Sequence, residues 1–417
     1  MTRLRTIVSA AMATLCLLWT AGSSSIVSAQ VSKIERRLPS AARLGRIEYP
    51  GGRSASFDAF LSKLDSLVSF GGPDIRIVHV GGSHIQGGMW SGELRKNLLT
   101  MRYGMDGGRG LVFPYSAAGT NTPTNYMSSY SGEWSNSKCL SPDPAHPLGA
   151  SGISVSTSDP SASFMIDLSP RDQQNWTPGF TFRSVDILGY GTQGVQPVIV
   201  MDRDTLSGRR DEARQLWHFD LPYYSEWVKV APQGLPGELT ITGLYLDKPL
   251  TGLTYSEIGV NGASTASYLR CNGFQRDMEF LKPDLVIFSI GINDIQGKEF
   301  NSNGFISAYS ILIQEVLKAS PGCAILLTTN NDSYKKGTPN PQTPECIRAF
   351  RTIAAAFDAA LFDLYGAMGG QGSIASWEEA GLARGDRIHF TKEGYELIGD
   401  MMFEAMKQAL KERRNRK

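Results

Sequence analysis

The sequence predicts an α/β domain interrupted by an inserted all-β sandwich, and three observations carry that fold class. Apolar strand runs followed by helical segments occur at Ile75 to Val80, return at DLVIFSI (Asp284 to Ile290), and recur at CAILLTT from Cys323. Between about residues 105 and 250 the texture changes to short alternating or aromatic-rich runs punctuated by Gly, Pro, Asp and Ser, as in an antiparallel sandwich. The chain has 417 residues, 41% hydrophobic and 19% charged, more than one small domain requires, so two folded units are expected.

Taken in order, the first segment reads as an export signal. Arg3 and Arg5 precede an apolar run from Ile7 to Trp19, and small residues follow, ending in Val27-Ser28-Ala29. Cleavage after residue 29 is expected; the run is too short and punctuated for a stable membrane span, and Cys16 lacks the preceding small residue of a lipidated cysteine. Ser56, followed by Phe57, Phe60, Leu61, Leu64, Leu67 and Val68, predicts a capped amphipathic helix. After the strand from Ile75, a second helix carries Trp90, Leu94, Leu98 and Met101 on one face and stops near Gly104.

The insertion is expected over 106–250, with strands in SFMIDL, FTFRSVDILGY, QPVIVMD, RQLWHFDL, EWVKVA and ELTITGLYL. Asn121 to Gly152 is the one long stretch that reads as irregular. The α/β part is thus split into 30–105 and 251–417. Its later helices are predicted at about 304–319 and 344–357, with Thr391 capping a last helix whose inner side carries Tyr395, Ile398, Met402 and Met406.

Composition excludes some functions. Forty-one basic residues against 40 acidic give a net charge of +1, so no electrostatic footprint for nucleic acid exists. Cys139, Cys271, Cys323 and Cys346 remain after signal cleavage and match no zinc spacing; no HExxH or paired-cysteine motif is present, and neither a metal nor a cofactor is expected. Three disulfide pairings of the four cysteines stay open.

Three segments fall just beyond strand ends, where α/β sheets build their sites. In Gly81-Gly82-Ser83-His84, glycines let the chain turn from strand to helix and leave Ser83 at the mouth of the cleft. In Gly291-Ile292-Asn293-Asp294, a short amide can donate a hydrogen bond into that cleft. In Asp386-Arg387-Ile388-His389, the three-residue spacing lets a carboxylate reach the imidazole within one loop. Together they supply a nucleophile, an oxyanion donor, a base and the group that orients the base, which is what acyl transfer demands. Gly259-Val260-Asn261-Gly262 offers a further backbone N–H.

At these residues the sequence resembles the SGNH (GDSL-like) hydrolase family, whose four blocks occur here in family order as Ser83, Gly262, Asn293 and the Asp386/His389 pair. The resemblance implies a three-layer α/β/α, flavodoxin-like domain, a Ser83–His389–Asp386 triad, and an oxyanion hole from the Ser83 and Gly262 N–H groups with the Asn293 amide. It departs at Gly82, where the family has an aspartate. The stretch SGELRKNLLTMRYGMDGGRGLVFP, with the long gap between Ser83 and Gly262, is similar to exported bacterial O-acetylpeptidoglycan esterases that carry an inserted carbohydrate-binding-like sandwich. That likeness implies an exported serine esterase of the periplasm or cell envelope, acting on an O-acetylated glycan. Alternatives are an acetyl-xylan or other polysaccharide acetylesterase, or a non-catalytic glycan-binding pseudoenzyme, which Gly82 would favour.

Other polar residues have plainer expectations. His84 is expected to point into the scaffold, His79 to be a hydrogen-bonded core residue, and Asp294 to form a local turn. His146 and His218 have no evident partner. Trp217 is expected in the core, while Tyr223, Tyr224 and Trp227 could stack on sugar rings or fill the sandwich.

Overall fold

In the computed structural model the described residues are 31–169, 180–202, 204–234, 236–297 and 299–416, so the expected signal segment lies outside them. The strands Ile75–Gly81, Leu285–Ser289 and Ala324–Thr328 are buried along almost their whole length, because each lies inside a parallel sheet covered on both faces. The sheet runs in the order Ile47–Glu48, Ala360–Phe362, Ala324–Thr328, Leu285–Ser289, Ile75–Gly81, Leu253–Gly259, Asp106–Val112, Leu239–Asp247, Phe182–Gly191, Leu216–Ser225, Arg209–Asp211. Pairing is parallel from Ala360–Phe362 through Asp106–Val112 and antiparallel beyond.

Alternation along the parallel strands divides the core. Ile75, Ile77, Leu285, Ile287 and Leu326 face the helices Ala55–Phe70, Met89–Leu99 and Lys392–Asn415. Val78, Val80, Val286, Phe288, Ile325 and Leu327 face Phe274–Leu281, Ser302–Ala319 and Thr343–Ala356. This is the three-layer arrangement, since a strand's successive side chains must leave on opposite faces.

A second antiparallel sheet, in the order Asp204–Ser207, Gln196–Met201, Trp227–Gln233, Ser163–Asp167, Met127–Ser131, packs on the antiparallel half of the first. Its Phe164, Ile166, Val228 and Val230 share one apolar core with Val185, Ile187 and Phe219 of the larger sheet. That core runs on without a break into the helix-covered layer around Val286 and Leu312. Asp106–Val112 belongs to both parts, parallel to Leu253–Gly259 and antiparallel to Leu239–Asp247.

Two local expectations are corrected. The helix Ala55–Phe70 is capped by Ser54, whose extended backbone lets its Oγ accept from Phe57 N at 3.2 Å, and Ser56 lies inside the first turn. The stretch from Asn121 to Gly152 contains two short strands, Met127–Ser131 and Ser135–Lys138, whose polar, exposed residues hide the alternation that marks a strand. Thr391 caps the last helix as expected, accepting from Gly394 N at 3.2 Å. Among the described residues no helix is long and apolar enough to cross a membrane.

Candidate active site

The strand Ile75–Gly81 delivers Ser83 to the carboxyl edge of the sheet, and the two glycines before it do different things. A Cβ on Gly81 would sit 2.3 Å from Ile85 Cγ1 and 2.9 Å from the Ser289 carbonyl, so only glycine fits. Gly82 has φ −96° and ψ −140°, and the nearest atom to a Cβ there is Asn293 Nδ2 at 3.5 Å. The steric demand therefore falls on Gly81 alone. The short helix Ser83–Gln86 also presses on Gly259, where a Cβ would meet Gln86 N at 2.2 Å.

Ser83 Oγ lies 2.9 Å from His389 Nε2, and His389 Nδ1 lies 2.8 Å from Asp386 Oδ2. Asp386 Oδ1 accepts from Ile388 N and His389 N, both at 2.9 Å. Burial pushes the Asp386 carboxyl up, but the hydrogen bonds from the His389 backbone and ring and from Ile388, with the attraction of the imidazole, outweigh it and hold the group below its ordinary value. The carboxylate is therefore ionised and fixes the tautomer with the proton on Nδ1, leaving Nε2 to accept from Ser83.

The base-bearing loop is held from outside. Asn331 Nδ2 donates to Ile388 O at 3.0 Å and Tyr334 N to Arg387 O at 2.9 Å. Arg387 takes a left-handed backbone, φ +53°, with its guanidinium on Glu378 at 2.6 Å and over the Tyr334 ring at 4.7 Å. His84 turns into the scaffold, with Nδ1 2.6 Å from the Tyr395 hydroxyl and its ring centroid 5.2 Å from that of His389. Burial, then the neighbouring His389, push His84 down to about 3, so it stays neutral beside the base.

Gly262 sits at φ +81° in the turn after Leu253–Gly259. Asn293 Nδ2 donates to Ala263 O at 2.9 Å, which brings the amide, this turn and Gly82 to one place: a Cβ on Gly82 would lie 3.6 Å from Ala263 O and 3.7 Å from Val260 O. Among the described residues neither Ser83 N–H nor Gly262 N–H meets an acceptor. Ser83, His389 and Asp386 are thus joined by hydrogen bonds, and Gly82, beside the serine, lies against Asn293 and the turn that carries Gly262.

Asp294 sits in a local turn, its N–H donating to Gly291 O at 3.1 Å, and its carboxylate also caps the helix Thr265–Tyr268, accepting from Thr265 N at 3.1 Å and Thr265 Oγ1 at 2.7 Å. Burial raises it to about 6 against the pull of those bonds. The folded state thus holds a disfavoured carboxylate above pH 6, and this penalty fades as pH falls toward the unfolded value near ~4. Relative to Asp294→Asn, the wild type should gain up to about 3 kcal/mol between pH 7 and pH 4. Urea unfolding of both proteins at the two pH values measures this, and a pH-independent difference would refute it.

Elsewhere, His79 is a core residue bridging the Tyr255 and Ser289 hydroxyls at 2.7 Å each. His146 and His218 do have partners, Glu238 at 3.1 Å and Asp186 at 2.8 Å, both remote in the sequence. Trp217 is buried beneath the Arg210 guanidinium, whereas Tyr223 and Tyr224 are exposed. Cys139, Cys271, Cys323 and Cys346 are buried free thiols. Gln86, Asn331 and Tyr395 shape the site and were not evident from sequence, since their partners lie far along the chain.

Residues 233–397 match the GDSL-like Lipase/Acylhydrolase family. The chain is a carboxylic ester hydrolase with a GDSL-like region. The matched stretch includes Gly262, Asn293, Asp386 and His389, while Ser83 precedes the insertion. The fold of this hydrolase is shared with the solved structure of a peptidoglycan O-acetylesterase, at 21% identity and a TM-score of 0.68, covering 88% of this chain and 99% of that one. So large a share of the hydrolase includes the insertion. Two further similar structures are a lipase/acylhydrolase from Enterococcus faecalis (20% identity, 38% of this chain, 77% of that one, TM-score 0.31) and an acetylxylan esterase from Geobacillus stearothermophilus (18%, 37%, 73%, 0.32). No curated protein matches the chain.

Proposed function

We propose that this hydrolase removes O-acetyl groups from a cell-wall glycan, peptidoglycan in particular, through an acetyl-Ser83 intermediate. The observation that carries the reading is the Ser83–His389–Asp386 relay, 2.9 Å and 2.8 Å long, with the Ser83 and Gly262 N–H groups meeting no acceptor among the described residues. His389 Nε2 takes the Ser83 proton as Oγ attacks the acetyl carbonyl, and the Ser83 and Gly262 N–H groups with the Asn293 amide receive the oxyanion. His389 then protonates the departing sugar oxygen, and a water activated by the same nitrogen releases acetate. The glycan assignment is supported by an architecture shared, insertion included, with a peptidoglycan O-acetylesterase. We assign 30–105 and 251–417 to the hydrolase part, 106–250 to the glycan-contacting insertion, and 1–29 to a signal that exports the chain to the periplasm or cell envelope.

Acetate release from O-acetylated peptidoglycan and from acetylated xylan, with Ser83→Ala as the blank, tests the substrate. Faster release from peptidoglycan is expected; faster release from xylan would reassign it.

The acyl group should be short. Leu140, from the inserted segment, would touch a Cβ on Gly262 at 3.8 Å, and no apolar channel is needed for an acetyl group. An enzyme that favoured long chains would exploit the ~0.8 kcal/mol available per buried methylene. p-Nitrophenyl acetate is expected to turn over faster than the octanoate, and the reverse order would contradict an acetylesterase.

Gly82→Asp is also informative. The position has a negative φ and room for a Cβ, so the variant should fold. As the resemblance implies, its carboxylate would brace backbone N–H groups of the nucleophile loop, and kcat is expected to rise about 3- to 10-fold with KM little changed. A slower variant would show that repulsion from the Val260 and Ala263 carbonyls dominates.

A further inference from the structure

Gln86 lies three residues after Ser83 on the same short helix and is 1% exposed. Its Oε1 accepts from Asn261 N at 2.7 Å, while Nε2 donates to Asn121 O at 2.8 Å and Thr120 Oγ1 at 3.1 Å. The orientation of the amide follows from its neighbours, because an N–H needs the oxygen and a carbonyl needs the nitrogen. Asn261 in turn donates its own amide to Asn121 Oδ1. One buried side chain therefore joins the nucleophile helix, the turn that carries Gly262, and a loop of the inserted segment.

Asn261 is the residue before Gly262, and both its backbone N–H and its side chain are tied down. The rest of the turn is held by Val260 N to Gly81 O at 3.3 Å and by Asn293 to Ala263 O. The peptide that ends in the Gly262 N–H has little freedom left, and its direction relative to Ser83 is set through Gln86. An oxyanion donor helps only if it is already aimed where charge develops, and a full donor contributes about 10²- to 10³-fold in rate.

We infer that Gln86 is a positioning residue that clamps the Gly262 peptide to the nucleophile helix and, through Thr120 and Asn121, ties the oxyanion hole to the inserted segment. The inference rests on the reading that Gly262 donates to the oxyanion. It also gives the insertion a part in turnover of small substrates that never touch a glycan-binding surface.

Gln86→Met keeps the volume and removes all the hydrogen bonds. With p-nitrophenyl acetate, kcat is expected to fall about 10- to 100-fold while KM stays within about 2-fold, the pattern of an interaction made in the transition state. Asn121→Ala removes the Oδ1 that accepts from Asn261 Nδ2 and, at 3.3 Å, from Gln86 Nε2, leaves the Gln86 bonds to Asn261 N and Asn121 O, and should lower kcat about 3- to 10-fold. Leu64→Ala, on the core face of the helix Ala55–Phe70, is the control for stability loss without change in kcat. Unchanged kcat in both Gln86→Met and Asn121→Ala, a loss confined to KM, or an equal kcat loss in Leu64→Ala overturns the clamp. Full activity in Ser83→Ala would instead overturn the reading beneath it.

Discussion

Ser83→Ala is expected to lower kcat on aryl acetates by about 10⁶-fold while leaving the fold intact, because removing the nucleophile of a triad costs nearly as much as removing the whole triad. Ser83 is half-buried and its hydroxyl pairs with His389 Nε2, so its loss leaves no cavity of consequence. A serine-directed phosphonate should label the wild type at Ser83 and fail to label the variant. His389→Ala should be similarly inactive, since Ser83 would keep its proton. Comparable turnover in either variant would remove Ser83 and His389 from the chemistry.

Asp386→Asn should cost about 10³- to 10⁴-fold in kcat at neutral pH, and the geometry says why. Asp386 Oδ1 accepts two backbone N–H groups, from Ile388 and His389, and an asparagine would keep its carbonyl oxygen there. The amide nitrogen would then replace Oδ2, donate to His389 Nδ1, and force the imidazole proton onto Nε2. That nitrogen could no longer accept from Ser83. KM should change little, and the thermal transition should stay within a few degrees because the loop hydrogen bonds survive. A modest loss of activity would mean that the tautomer is set by some other group.

How much of this was legible in sequence depended on distance along the chain. Strands such as Leu285–Ser289 and Ala324–Thr328 announce themselves because burial on both faces demands an unbroken apolar run. The Asp386/His389 pair could be read because its hydrogen bond spans three residues within one loop. Polar strands such as Ser135–Lys138 carry no such pattern, and they are specified by the partner they pair with. The same limit hid Gln86, whose partners are 34, 35 and 175 residues away, and the contact of His146 with Glu238. The helix cap was misplaced from Ser54 to Ser56 because both are serines in a plausible position, and only the backbone distinguishes them.

The continuous sheet also sets an order of assembly during synthesis. The strand that carries the nucleophile finds its neighbour Leu253–Gly259 only after the insertion has been made; Asp74 and Gly252, hydrogen-bonded at its start, are 178 residues apart. At ordinary elongation rates this leaves the apolar strand Ile75–Gly81 without that parallel partner for roughly 10 to 35 s. His389 is 306 residues beyond Ser83 and is made later still. Hydrolytic activity is therefore acquired late and all at once, and a ribosome stalled anywhere within the insertion carries a serine with neither base nor oxyanion turn.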